Sequence, residues 1–236
     1  MNIFRRILGS SVGMKYLMAV TGALLLLFVI GHMVGNLQIF AGREAINRYG
    51  QLLHASGELL WAVRLGLLAV VVLHLGSAVK LSLDNKAARP VAYAEYKPLG
   101  STYASRTMLM SGLIVLAFII FHLLHYTVRA QAVNLTGQDF EAFKEALPNG
   151  EHRHDVYKMM IVGFRNVWVS AFYALGVGLL CLHLSHGASS LFQSLGWKND
   201  AYRPGLDRLA RVLAVVIFLG YISIPVAILL AYGKDL

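Results

Sequence analysis

The chain has 236 residues, 57% of them hydrophobic and 14% charged, with mean hydropathy +0.61 and a formal net charge of +9. That balance excludes an ordinary soluble domain and points to a membrane protein. A single cysteine, Cys181, excludes an internal disulfide and any four-thiolate iron–sulfur cluster held by this chain alone.

Apolar runs recur at about 17–39, 59–81, 107–128, 167–189 and 209–232, each near the ~20 residues that an α-helix needs to cross the hydrocarbon core. The first follows a short basic stretch, is too long for a signal-peptide core, and is expected to be retained. It carries "FVIGHMVGN", in which Gly31 and Gly35 flank His32 in a G-x-x-x-G spacing. The connection 40–58 reads as partly helical and amphipathic. The second run contains "VVLHLGSAV" with His74, and Glu58 and Arg64 stand at its beginning. The third ends in "FIIFHLLHY", with His122 and His125. The long connection 129–166 is expected to hold a small helix ended by Pro148, Asn149 and Gly150. The fourth run includes "LLCLHLSHGASSLFQSLGW", with Cys181, His183 and His186, and the fifth has no histidine and a predicted kink at Pro225. The fold expected is all-α, one membrane domain over 1–236 built from five transmembrane helices. The similar periods of the first four suggest two stacked helix pairs.

Lys and Arg accumulate on the cytoplasmic side of short loops. With the N-terminus inside, that side holds twelve of them against four acids, and the opposite side nine against eight. The N-terminus is therefore expected in the cytoplasm and the C-terminus outside. The basic face either signals topology alone or also attracts anionic headgroups or an acidic soluble partner; nothing suggests nucleic acid.

Polar groups within lipid are costly and mark internal partners or functional sites. His32, His74, His122 and His183 lie about 15, 15, 15 and 16 residues from the starts of their spans. At a rise of ~1.5 Å per residue each imidazole sits ~23 Å from the side its helix enters. Because helix direction alternates, His32 and His122 share an outer level and His74 and His183 an inner one. The two levels are separated by on the order of 15 Å within a ~30 Å core. Two pairs at two levels match two stacked haems, each iron held by two imidazoles, a ligation that favours electron transfer because no coordination position stays open. Interhelical hydrogen bonding or a proton relay are the alternatives for histidines so placed. His125 and His186 shadow His122 and His183 by three residues and either could replace its neighbour. Gly31 and Gly35 would let a flat macrocycle or a helix approach closely.

The four histidine segments, in their order and spacing, resemble the five-helix, dihaem cytochrome b subunit of bacterial succinate:quinone oxidoreductases and quinol:fumarate reductases. The resemblance covers nearly the whole chain, and "LLCLHLSHGASSLFQSLGW" is its most specific part. It implies that His32 and His122 ligate the iron of an outer haem b, and His74 and His183 that of an inner one. It also implies a multi-pass subunit of the bacterial cytoplasmic membrane. The partners would be a flavoprotein subunit, which carries the succinate site, and an iron–sulfur subunit, both on the cytoplasmic face. Electrons would pass between them and a quinone, menaquinone first among the candidates.

Glu58 approximately matches an acidic position near the family's outer quinone site, where it would exchange protons with quinone; a helix-capping or solvated carboxylate is the alternative. Arg64 would pair with a propionate of the outer haem or snorkel to the interface. Some family members carry a glutamate two residues before the fourth ligand as a proton path, and Cys181 stands there in this chain. Two rival readings remain: a dihaem subunit of another membrane oxidoreductase, such as a hydrogenase or formate dehydrogenase, and a haem-free proton-coupled transporter with a histidine relay.

Overall fold

The computed structural model describes residues 9–88, 91 and 103–234. Arg5, Arg6, Arg89, Glu95 and Lys97, part of the charge count behind the predicted orientation, lie outside the described residues.

The fold is all-α. Helix α1 spans Ser11–Leu37, with the Ser10 hydroxyl accepting from Gly13 N–H at 3.0 Å, and tightens into a 3-10 turn at Gln38–Ala41. It stops at Gly42, whose φ of 99° is open to glycine at little steric cost. Helix α2 (Arg43–Ala55) is short and amphipathic, as its sequence predicts. Helix α3 runs over Gly57–Ala87. A single helical turn at Tyr103–Arg106 precedes α4 (Met108–His122), which opens into a π turn at Leu123–Thr127. After α5 (Val156–Arg165) come α6 (Val167–Ser194) and α7 (Arg203–Leu229), the last running through Pro225. Among the described residues, five helices are long and apolar enough to cross a membrane: α1, α3, α4 with its π turn, α6 and α7. They expose Leu24, Leu27, Leu65, Leu68, Leu182 and Leu219, side chains that cost nothing against lipid and that water would not tolerate in such density.

Residue proximity divides the chain into two compact units. The first collects described residues within 1–29, 64–113 and 180–215; the second collects those within 30–63, 114–179 and 216–236. In the second, Ile39, Ile46, Ile161, Phe164, Val169, Tyr173, Ile224 and Ile228 form a buried apolar core.

The connection 129–166 differs from its sequence expectation. In place of a helix ended at Pro148, it forms a 3-10 turn (Phe140–Ala142) and an antiparallel hairpin, β1 (Lys144–Ala146) with β2 (His152–His154), followed by α5. The reason is turn chemistry together with a cross-strand charge pair. Gly150 N–H donates to Leu147 O at 2.9 Å, Pro148 sits at the second turn position, and Gly150 takes φ 83°. Glu145 then lies opposite Arg153, whose Nε donates to Glu145 Oε2 at 2.7 Å. Asn47 and Asp155, both fully buried, tie this hairpin to α2. Asn47 Nδ2 donates to Asp155 Oδ1 at 3.0 Å and to Glu145 Oε2 at 2.8 Å, and Asn47 Oδ1 accepts from Tyr157 N–H at 2.8 Å. Asp155 also caps α5 by accepting from Lys158 N–H at 3.0 Å.

Candidate functional site

Both units contain a pair of the intraspan histidines. In the second, α1 supplies His32 and α4 supplies His122, with ring centroids 5.7 Å apart and planes at 79°. Metal–imidazole bonds of about 2 Å, plus ~1 Å to each ring centre, put two trans ligands of one metal roughly 6 Å apart, centroid to centroid. The His32–His122 pair is close to that separation. Tyr221 of α7 and Phe118 of α4 flank it, each with its ring 6.3 Å from a histidine.

Tyr173 of α6 lies behind His122, its hydroxyl 3.2 Å from His122 Nδ1 and 3.0 Å from His125 Nδ1. A phenol has one proton, so it can donate to one of these nitrogens and must accept from the other. His125 itself is fully buried, its ring tilted at 30° to that of Tyr126 with centroids 4.0 Å apart, and its Nε2 is enclosed by protein and without a hydrogen-bond partner among the described residues. His122 is only half-buried. Of these two histidines, His122 is the one with a ring opposed to another imidazole.

In the first unit, α3 supplies His74 and α6 supplies His183. His74 Nδ1 is 3.1 Å from Thr21 Oγ1 on α1, and His183 Nδ1 is 3.2 Å from Ser111 Oγ on α4. His186 Nε2 instead meets Ser190 Oγ of its own helix at 3.0 Å. A side chain added at Gly22 would bring Cβ within 3.2 Å of His74 Cε1, and one at Gly112 within 3.4 Å of His183 Cε1.

The other predicted residues are distributed as follows. Gly31 has open space over its Cα, whereas Gly35 is covered by the ring of Tyr49, which a Cβ would meet at 2.6 Å. Glu58 is exposed in the first turn of α3, and Arg64 is half-buried on the same helix. Cys181 is buried. Among the described residues no three His, Cys, Asp or Glu side chains converge to hold a metal ion. Sequence reasoning missed Thr21, Ser111 and Tyr173. Hydroxyl residues inside apolar spans at one helix's remove from each histidine were the available signal.

The chain matches no family model, no curated protein and no solved structure.

Proposed function

We propose that the chain is the five-span, dihaem cytochrome b subunit that anchors a succinate dehydrogenase or fumarate reductase in the bacterial cytoplasmic membrane and exchanges electrons with menaquinone. The observation that carries this reading is the opposition of His32 and His122 at 5.7 Å between α1 and α4, alongside a second histidine pair on α3 and α6. On this reading His32 and His122 hold one haem b, and His74 and His183 the other. Each haem, when bound, would supply one-electron transfer.

The chain's own side chains do the rest. Four neutral imidazoles ligate, and the apolar spans exclude water. Arg64, half-buried on α3, would offer a cation for a propionate. Glu58, in contact with solvent at the start of α3, would pass protons to or from quinone oxygen. Lys80, Lys86, Arg208 and Arg211 form part of the basic face on which the iron–sulfur and flavoprotein subunits would dock.

A haem-free proton relay is the rival with an observation of its own, the His122–Tyr173–His125 chain of hydrogen-bonding groups. A reduced-minus-oxidised visible spectrum of the purified native complex, with a pyridine haemochrome count, separates the two. Two b haems per chain are expected, one lost in His32→Ala or His122→Ala and the other in His74→Ala or His183→Ala. A folded complex without haem would leave the relay. Co-purification with a nickel or molybdenum protein instead of a flavoprotein would move the chain to the hydrogenase or formate dehydrogenase reading.

A further inference from the structure

Helices α1 and α4 repeat one arrangement. Thr21-Gly22 precedes His32 by eleven and ten residues, and Ser111-Gly112 precedes His122 by the same eleven and ten. Each hydroxyl–glycine pair receives a histidine from another helix: His74 at Thr21-Gly22 and His183 at Ser111-Gly112. The glycine leaves room for the ring edge, since a Cβ would crowd His74 Cε1 at 3.2 Å and come into contact with His183 Cε1 at 3.4 Å, and the hydroxyl meets Nδ1.

The direction of these hydrogen bonds follows from proton count. Thr21 Oγ1 has one proton and lies 2.7 Å from Leu17 O and 3.1 Å from Met18 O; Ser111 Oγ has one and lies 3.0 Å from Met108 O. Carbonyl oxygens only accept, so each hydroxyl proton is committed to its own helix backbone. The hydroxyl oxygen is then left as an acceptor, and the imidazole must donate from Nδ1. In that arrangement both histidines would be the Nδ1–H tautomer, with the Nε2 lone pair available.

We infer that Thr21 and Ser111 are twin positioning residues. They fix the tautomer and ring orientation of His74 and His183 and, by accepting the Nδ1–H bonds, increase the electron donation of both ligands to one shared haem iron. This rests on the dihaem reading. An acceptor behind a metal-bound imidazole raises its basicity, which stabilises the ferric state and lowers the reduction potential of that haem alone. A pair of packing contacts would leave the potential where it is.

The test uses the complete membrane complex carrying Thr21→Val, Thr21→Ser, Ser111→Ala or Ser111→Thr. Redox titration follows the visible bands of each haem, and electron paramagnetic resonance follows its low-spin ferric signal. Thr21→Val and Ser111→Ala are each expected to raise the reduced-to-oxidised ratio of the His74/His183 haem about tenfold at fixed ambient potential, ~59 mV for one electron. The His32/His122 haem stays unmoved, and Thr21→Ser and Ser111→Thr hold the wild-type value. Selective loss of the His74/His183 haem in a hydroxyl-free variant, restored with its normal potential in the conservative one, supports the same role. Unchanged potentials at full haem content, or a loss that the conservative variant does not restore, overturn the inference and leave the dihaem reading standing. A wild-type complex without haem overturns both.

Discussion

His122 and His125 have the same residue type, lie one turn apart and end the same apolar run, yet their surroundings differ. His122 faces His32, while His125 is enclosed by Tyr126, Phe140 and Tyr173. On the dihaem reading His125→Leu is therefore expected to keep two haems per chain and to cost about 1 kcal/mol of stability, the scale of one lost hydrogen bond, since the Tyr173 hydroxyl keeps His122 as a partner. A pyridine haemochrome count of one in that variant would make His125 the ligand. Gly22 and Gly112 give a graded case. Alanine at Gly112 adds a contact at 3.4 Å that the His183 ring can accommodate, whereas leucine must enter the space of the ring. On the dihaem reading Gly112→Leu is expected to drop one haem and Gly112→Ala to retain both, with the visible spectrum as the check.

Among the elements, the hairpin and α2 are tied together by charge and buried amide chemistry. Arg153 pairs with Glu44 and Glu145. Its hydrogen bond holds the Glu44 carboxyl below the usual range. For Glu145, burial pulls upward, but the bonds from Arg153 and Asn47 outweigh it and the carboxyl is lowered as well. Below the ordinary value of 4.5, the unfolded chain takes up protons that the folded one resists, so this stabilisation is fully present above that pH and is lost as pH falls through the lowered folded values. Limited proteolysis of the 129–166 connection should be faster in Arg153→Met than in wild type at neutral pH, with the difference shrinking in acid. A difference independent of pH would assign Arg153 a packing role only. Asn47→Ala removes two donors and one acceptor at a fully buried position and should lower thermal stability by ~2–4 kcal/mol on the scale of buried hydrogen-bond loss, read as a lower Tm in detergent. These elements were the least legible in the sequence: residues 140–146 include helix formers, and the Pro148-Asn149-Gly150 turn and the Glu145–Arg153 register override that preference.

For the molecule as a whole, the charge distribution predicts which ends face the cytoplasm. Cysteine introduced at Asn149, in the hairpin turn, should react with a membrane-impermeant maleimide from outside intact cells, and cysteine at Asp200, between α6 and α7, only after the inner face is opened. Cys181 is buried within α6 and should stay unlabelled, which gives a clean background. The opposite labelling pattern would invert the orientation and with it the face available for soluble subunits.

Length and hydropathy were enough to set the five spans, because a lipid-crossing helix must satisfy its own backbone and shed polar side chains over about 20 residues, a demand readable one segment at a time. The periodic placement of His32, His74, His122 and His183 was likewise visible along the chain. Which neighbours each imidazole meets was not. Thr21 and Ser111 look like ordinary polar interruptions of apolar runs, Tyr173 like one aromatic among many, and the choice of His122 over His125 as the ring facing His32 depends on burial. These are contacts between helices 48 to 72 residues apart, and they exist only once packing has brought a hydroxyl from one helix against the ring nitrogen of another.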